Sequence, residues 1–263
     1  MSDIILETRN LTKHYGGVHA LNDANFTLKK GEHVAIMGDN GAGKSTFVRQ
    51  ITGVEQRTSG DIMFDGAPVQ FDGPLDARRA GIETVFQTLA LADDLDVPDN
   101  LFLGREITKF NWLGPFRFLD YKAMRQATID GLEKTSVKIP NIRNTIQNMS
   151  GGQRQCVAIA RTATFHSKLT IMDEPTAALG VQETAQVENI IRTLKEAGEP
   201  LILVSHNMRQ VFDLVDRIVV FRRGRICANL RKEDRGHCIK VTILSGSCEL
   251  YGNICVFSRI SGL

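Results

Sequence analysis

The residues Gly38, Asp39, Asn40, Gly41, Ala42, Gly43, Lys44, Ser45 and Thr46 fit the spacing G-x-x-x-x-G-K-[ST] at Gly38, Gly43, Lys44 and Ser45. Each residue type brings its own chemistry. Glycines let the backbone turn tightly and bring its N–H groups against phosphate oxygens, which a Cβ would obstruct. Lys44 supplies a mobile positive charge for β- and γ-phosphates, and the Ser45 hydroxyl suits Mg²⁺. Residues 34–37 read as a buried strand leading in, and residues 45–52 as the first turns of a helix. The loop thus presents a helix N-terminus, whose unsatisfied N–H groups and dipole favour an anion. A glycine-rich turn with an exposed lysine is the plainer alternative, and the strand before and helix after argue against it.

Other candidates follow in chain order. Tyr15 precedes a Gly16-Gly17 turn; its ring can stack on a purine base, although spacing alone favours a tyrosine packed on a strand. Gln87 ends the strand-like segment 81–87, where an amide can reach a metal ion or water or sit as a plain surface residue. Ser150, Gly151, Gly152 and Gln153 open an apolar helix, with Ser150 as N-cap and two glycines that let N–H groups approach an anion. By itself S-G-G is equally a plain helix start. Asp173 and Glu174 follow the strand 169–172, at the strand end where ligands bind in parallel α/β sheets. Asp173 there can join Ser45 in holding Mg²⁺, and Glu174 can polarise an attacking water. His206 follows the apolar strand 201–204 at the same edge, placed to contact a γ-phosphate.

The elements that must position these groups are legible around them. Residues 4–36 read as antiparallel strands with turns at Gly16-Gly17 and Lys30-Gly31, and residues 59–66 as a further hairpin arm. From about 89 to 148 the pattern turns helical, at 99–103 and again at 120–134 with Asp120 as cap, which suggests a helical lobe inserted in an α/β body. Phe110, Trp112, Phe116 and Phe118 form an aromatic cluster within it. Residues 218–225 read as a closing hairpin.

Composition bounds the rest. At 263 residues the chain suffices for one large domain, and a net charge of +2 argues for neither a nucleic-acid patch nor a polybasic anchor. No apolar run reaches the length of a membrane span, and the start lacks a signal-peptide pattern, so the expectation is a cytosolic protein. The five cysteines show no metal-ligand spacing.

The phosphate loop, Gln87, Ser150 to Gln153, Asp173-Glu174 and His206, in that order, resemble the ATP-binding subunit of ABC transporters over residues 4–230. The resemblance implies an α/β fold, a P-loop NTPase with a RecA-like core, an N-terminal antiparallel β-subdomain and an inserted helical subdomain at about 89–165. It implies ATP and Mg²⁺ as cofactors, and a homodimer in which each ATP lies between one subunit's phosphate loop and the other's Ser150, Gly151 and Gly152. It further implies integral membrane permease subunits, a periplasmic sugar-binding protein acting indirectly, and a place on the cytoplasmic face of a bacterial inner membrane. Nucleic acid is not an implied partner. Roles carried over are adenine stacking for Tyr15, Mg²⁺ binding and permease signalling for Gln87, the general base for Glu174, and γ-phosphate contact for His206. Residues 99–106 and 176–181 look like the subunits of monosaccharide importers, closest to the single-domain, fructose-associated type. Import of another small solute, a non-transport ABC ATPase and a non-hydrolysing nucleotide switch are the alternatives.

Two positions depart from the family. Gly180 stands where most members have Asp, and Met149 replaces the usual Leu, a volume-conserving change. The tail departs further. After about Arg231 the expected closing helix gives way to residues 231–263, with scattered Gly, Ser and Cys and no amphipathic period. The expectation is a segment foreign to the fold, such as a shifted reading frame, with a lineage-specific extension as the alternative.

Overall fold

The computed structural model describes residues 3–109, 118–135, 137, 139–165, 167–177, 179–231, 239–240 and 251–252. Two sheets dominate. The first is antiparallel, built from β1 (Ile4–Tyr15), β2 (Val18–Lys29), β4 (Ser59–Phe64) and β5 (Ala67–Pro68) in the order β2-β1-β4-β5. The second contains β3 (His33–Met37), β6 (Ile82–Val85), β9 (Leu169–Asp173), β10 (Leu201–Val204), β11 (Arg217–Arg222) and β12 (Arg225–Arg231) in the order β12-β11-β3-β10-β9-β6. All its neighbours pair in parallel except the hairpin β11–β12. The strand of residues 33–37 therefore leaves the antiparallel series expected for residues 4–36. Every residue of β3 is buried, which suits a strand covered on both faces rather than a half-solvated hairpin arm. Two short pairs, β7 (Thr108–Lys109) with β8 (Phe118–Leu119) and β13 (Ile239–Lys240) with β14 (Tyr251–Gly252), complete the strands described.

Alternation along β3 divides the core. Val34 and Ile36 face a cluster shared with Leu6, Leu11, Leu21 and Phe26 of the antiparallel sheet and with Phe47, Val48 and Ile51 of α1 (Lys44–Ile51). Phe47 is the pin of this layer, with ring centroids 5.3 Å from both Phe26 and Phe221. Burying that one ring stabilises the fold by about 2–3 kcal/mol. Ala35 and Met37 face the other side, where α5 (Gly151–Thr164), α6 (Val181–Glu196) and α7 (Met208–Leu214) cover the sheet. On α6 the buried residues are Val187, Ile190, Ile191 and Leu194, a helical stripe.

A third cluster belongs to the helical lobe. Val97, Leu101 and Phe102 of α3 (Val97–Phe102), Met124 of α4 (Tyr121–Lys134), and Ile146, Met149 and Val157 pack together, so Met149 fills a core position as a leucine would. Asp120 caps α4 by accepting from the Ala123 N–H at 3.1 Å. Of the aromatic cluster, Phe118 is 67 % exposed; Phe110, Trp112 and Phe116 lie outside the described residues, as does most of the tail from 232 onward.

Glu83 joins the lobe to the sheet. It lies in β6, beside α2 (Pro74–Ala80), and is 2 % exposed. It accepts from Arg105, which follows α3, and sits 3.9 Å from Arg78 of α2. Burial pushes its carboxyl up, while Arg105, Arg78 and Arg161 of α5 hold it down. Removing one partner of such a buried set leaves uncompensated charge, a cost of about 3–5 kcal/mol.

His33 at the start of β3 is fully buried, its Nε2 2.9 Å from the Glu199 carbonyl, and burial pushes its pKa from 6.5 down to about 4. The folded protein thus holds it neutral while the unfolded chain binds a proton below pH 6.5. Stability from this group is complete above about pH 7, declines as pH falls toward 4, and levels there, a total of about 3 kcal/mol. Urea unfolding across this range checks it, and His33→Gln is expected to flatten the slope.

Candidate functional site

Four parallel strands end level with one another. Val204 of β10 lies opposite Ile36 of β3 and Asp173 of β9, and Met172 of β9 lies opposite Val85 of β6. The chain leaving each strand carries one group: Gly38 to Thr46 after β3, His206 after β10, Glu174 beside Asp173 after β9, and Gln87 after β6. At about 4.8 Å per strand the row spans about 14 Å, the scale of a nucleoside triphosphate. Ser150 to Gln153 are not part of this row. They open α5.

The loop after β3 is braced backbone against backbone. Ala42 N–H donates to Asp39 O (3.1 Å), Gly224 N–H to Ala42 O (2.9 Å) and Asn22 N–H to Gly224 O (2.8 Å). Gly43 has φ +105°, and a Cβ there would stand 2.8 Å from the Ala20 carbonyl oxygen and 3.1 Å from Gly224 Cα. Lys44 is only 6 % exposed, its Nζ donating to the carbonyls of Gly38 (2.7 Å) and Asp39 (3.0 Å). The ammonium is therefore held inside the loop. Asn40, Gly41 and Ser45 are exposed, Thr46 is half-buried, and Ala42 is buried against the core.

At the end of β9 the two acids differ. Burial pushes the Asp173 carboxyl up, the Glu174 charge adds to this, and Lys44 and Arg49 oppose it. A carboxylate so placed gains from a cation. Glu174 is at φ +50° and donates its N–H to the Val204 carbonyl at 2.9 Å, which ties it to the neighbouring strand. Its Oε1 lies 3.2 Å from His206 Nδ1. The Glu174 side chain is 19 % exposed against 67 % for His206, so the imidazole, not the acid, reaches solvent. Hydroxyl, carboxylate and amide oxygens of Ser45, Asp173 and Gln87 are hard donors of the kind Mg²⁺ takes. Among the described residues no three His, Cys, Asp or Glu side chains converge on a cation site. A cation here would draw its remaining ligands from phosphate and water.

Gln87 is exposed on the turn after β6. Beyond it, Leu89 and Ala90 adopt φ of +50° and +48°, costly for residues with a Cβ. The lobe holds them there. Arg161 of α5 donates to the Ala90 carbonyl at 3.3 Å, and Asn100 of α3 accepts from the Ala92 N–H at 2.7 Å and donates to the carbonyls of Ala92, Leu95 and Asp96. Tyr15, at the end of β1, does not pack as a strand residue: it is 44 % exposed, its hydroxyl donates to Glu55, and Lys13 Nζ stands 5.1 Å from its ring centroid. Burial and the Glu55 bond both push its phenol up. The Ser150 turn is a full capping box. Gln153 N–H donates to Ser150 Oγ at 3.2 Å, and Ser150 N–H to Gln153 Oε1 at 2.9 Å.

Sequence reasoning missed several supporting groups. Arg49 and Glu55, paired at 3.2 Å beside Tyr15, have no signature in sequence. Glu83 and Arg161 did leave one: a charge on an otherwise apolar strand or helix face, which has to find a partner.

Residues 21–177 match the profile of the family described as ABC transporter. The chain is 47 % identical over 247 residues to the fructose import ATP-binding protein FrcA of Rhizobium meliloti, covering 93 % of this chain and 95 % of that one. It is 44 % identical to the xylose/arabinose import ATP-binding protein XylG of Sulfolobus acidocaldarius, covering 89 % and 90 %. Against the ribose import ATP-binding protein RbsA of Lacticaseibacillus paracasei, 38 % identical, it covers 83 % of this chain but 43 % of that one. Among solved structures it is similar to the dimeric post-hydrolysis state of the ATP-binding cassette MJ0796 bound to ADP and Pi, at 25 % identity and TM-score 0.74, covering 87 % and 99 %.

Gly43→Ala adds a Cβ both at a left-handed backbone and against the Ala20 and Gly224 backbones. The expected cost is roughly 2–4 kcal/mol, read as a lower urea midpoint, together with loss of nucleotide binding by titration.

Proposed function

The chain belongs to the ABC transporter family, and from that premise we propose that it is the ATP-binding and hydrolysing subunit that energises import of a monosaccharide. The observation that carries the reading is the row of Lys44, His206, Glu174 and Gln87 on four level strand ends, with His206 Nδ1 3.2 Å from Glu174 Oε1. The two relatives matched over most of their length are named for fructose and for xylose/arabinose import, and a monosaccharide is what those names share. A fructose-like sugar is the first to test.

In this mechanism the N–H groups of residues 38–46 and Lys44 Nζ bind the β- and γ-phosphates, and the Tyr15 ring stacks on adenine. Ser45, Asp173 and Gln87 would hold Mg²⁺, which when bound neutralises charge on the phosphate oxygens. Glu174 takes the proton of the water that attacks the γ-phosphorus as the bond to the ADP oxygen breaks. With both ring nitrogens protonated, His206 donates from Nδ1 to that carboxylate, which keeps it oriented, and from Nε2 to the γ-phosphate. Ser150, Gly151 and Gly152 of a second copy close over the nucleotide, so each site needs two subunits. Residues 1–230, with their helical subdomain at about 89–165, supply all of these groups, and the atypical tail from 231 supplies none.

Closure on ATP and opening after hydrolysis would move integral permease subunits from the cytoplasmic face of the membrane, with a periplasmic sugar-binding protein delivering cargo on the far side. No described helix is long and apolar enough to cross a membrane, which suits a peripheral subunit.

Glu174→Gln is expected to lower ATPase turnover by about a thousandfold while ATP binding persists, measured by phosphate release and nucleotide titration. Unchanged turnover would remove Glu174 as the base. Mixing tests the shared site. Lys44→Ala and Ser150→Phe proteins are each expected to be inactive, and the mixture to recover about one quarter of wild-type activity, because half the dimers are mixed and each has one intact site. No recovery on mixing, with exchange of subunits verified, would argue against composite sites.

A further inference from the structure

Glu183 sits on the first turn of α6, half-buried, and lies against two glycines from different parts of the chain. A Cβ built on Gly152, in the first turn of α5, would stand 2.1 Å from Glu183 Cγ and 2.8 Å from its Cβ. A Cβ built on Gly180, the N-cap of α6, would stand 2.5 Å from Glu183 Oε2. Real Cβ atoms do not approach so closely: at Gly152 the stem of the glutamate stands in the way, and at Gly180 its carboxylate tip, which a side chain there would swing out of its seat. Gly152 has ordinary space on its backbone only because it is glycine.

Those two glycines belong to separate working parts. Gly152 lies in the turn that opens α5, locked by the Ser150–Gln153 capping box. Gly180 closes the chain that leaves Glu174, a segment drawn tight by Ala177 N–H to Glu174 O at 3.1 Å and Leu179 N–H to Thr176 O at 3.4 Å. The Glu183 charge also reaches α5, where it adds to burial in pushing the Cys156 thiol up to about 11.

We infer that Glu183 is a positioning residue: wedged between Gly152 and Gly180, it fixes the spacing between the turn that opens α5 and the chain segment that carries Glu174. The inference rests on the proposed hydrolysis and adds a part to it. It also accounts for the departure at position 180. Asp is a better N-cap than Gly, so local preference alone would favour it here. An Asp at this position would bring a Cβ and a second negative charge against the Glu183 carboxylate and drive it from its seat, whereas glycine leaves the wedge in place.

The test is a double-mutant cycle with ATPase rates and urea unfolding of the nucleotide-free protein. Glu183→Ala is expected to lower kcat about tenfold with KM for ATP changed less than about twofold, since an ångström of misplacement acts on turnover rather than on binding. Glu183→Gln keeps the shape and is expected to stay within about twofold of wild type. Gly180→Asp is expected to lower kcat about tenfold despite its better cap, and the Gly180→Asp, Glu183→Ala double variant to be no worse than either single one. A Gly180→Asp protein that is more stable and fully active overturns the wedge, as do rate losses that simply multiply in the double variant. Glu183→Gln as impaired as Glu183→Ala overturns it too, since charge rather than volume would then be at work. An inactive wild-type protein overturns the hydrolysis reading instead, and coupling in the unfolding cycle still decides whether the wedge exists.

Discussion

The register of the parallel ladder is the constraint on which the rest depends. β3, β10, β9 and β6 are hydrogen-bonded side by side with their carboxyl ends level, so four loops that are far apart in sequence start from one line. A slip of one residue in any strand would turn its alternate side chains to the other face. Val34 and Ile36 would lose the cluster around Phe47, and Ala35 and Met37 the cluster under α6. Because both faces are packed, the hydrophobic pattern that holds the core also aligns the chemistry. The row of Lys44, His206, Glu174 and Gln87 follows from correct packing of the strands that carry it.

Above that line, two different physical devices fix the loops. At the phosphate loop the device is close backbone approach: Gly43, Gly224 and Ala20 come together with no side chain between them. At the Gln87 loop it is polar: Arg161 and Asn100 reach from the lobe to backbone groups, and Glu83 draws Arg105 and Arg78 together below. The first makes a rigid cradle. The second links the apolar cluster of the lobe to that of the sheet through charges gathered on buried Glu83, alongside α5, which contributes residues to both clusters.

Much of this was legible in the residues. The phosphate loop, the Ser150 and Asp120 caps and the apolar strands before Asp173 and Ser205 all carry local signals, because turn chemistry, capping and apolar runs act over a few residues. What was not legible depends on partners distant in sequence. Tyr15 leaves the strand surface because Glu55 accepts from it, and β3 belongs to the second sheet because β10 and β11 flank it. The helix α6 did carry a readable stripe in Val187, Ile190, Ile191 and Leu194, and the sequence reading passed over it. Gly180 looked like a defect in a motif. Only with Glu183 placed does it read as a residue making room.

The buried set around Glu83 has a consequence for ionic strength. Mobile ions screen exposed charges over about 8–10 Å and reach buried ones far less. The pairs Arg9–Glu7 and Arg79–Asp76 lie at the surface and fade in concentrated electrolyte, whereas Glu83, with a side chain 3 % accessible, keeps its arginines. The link from Arg105, beside the lobe, to Glu83 in the sheet is therefore one that brine loosens little.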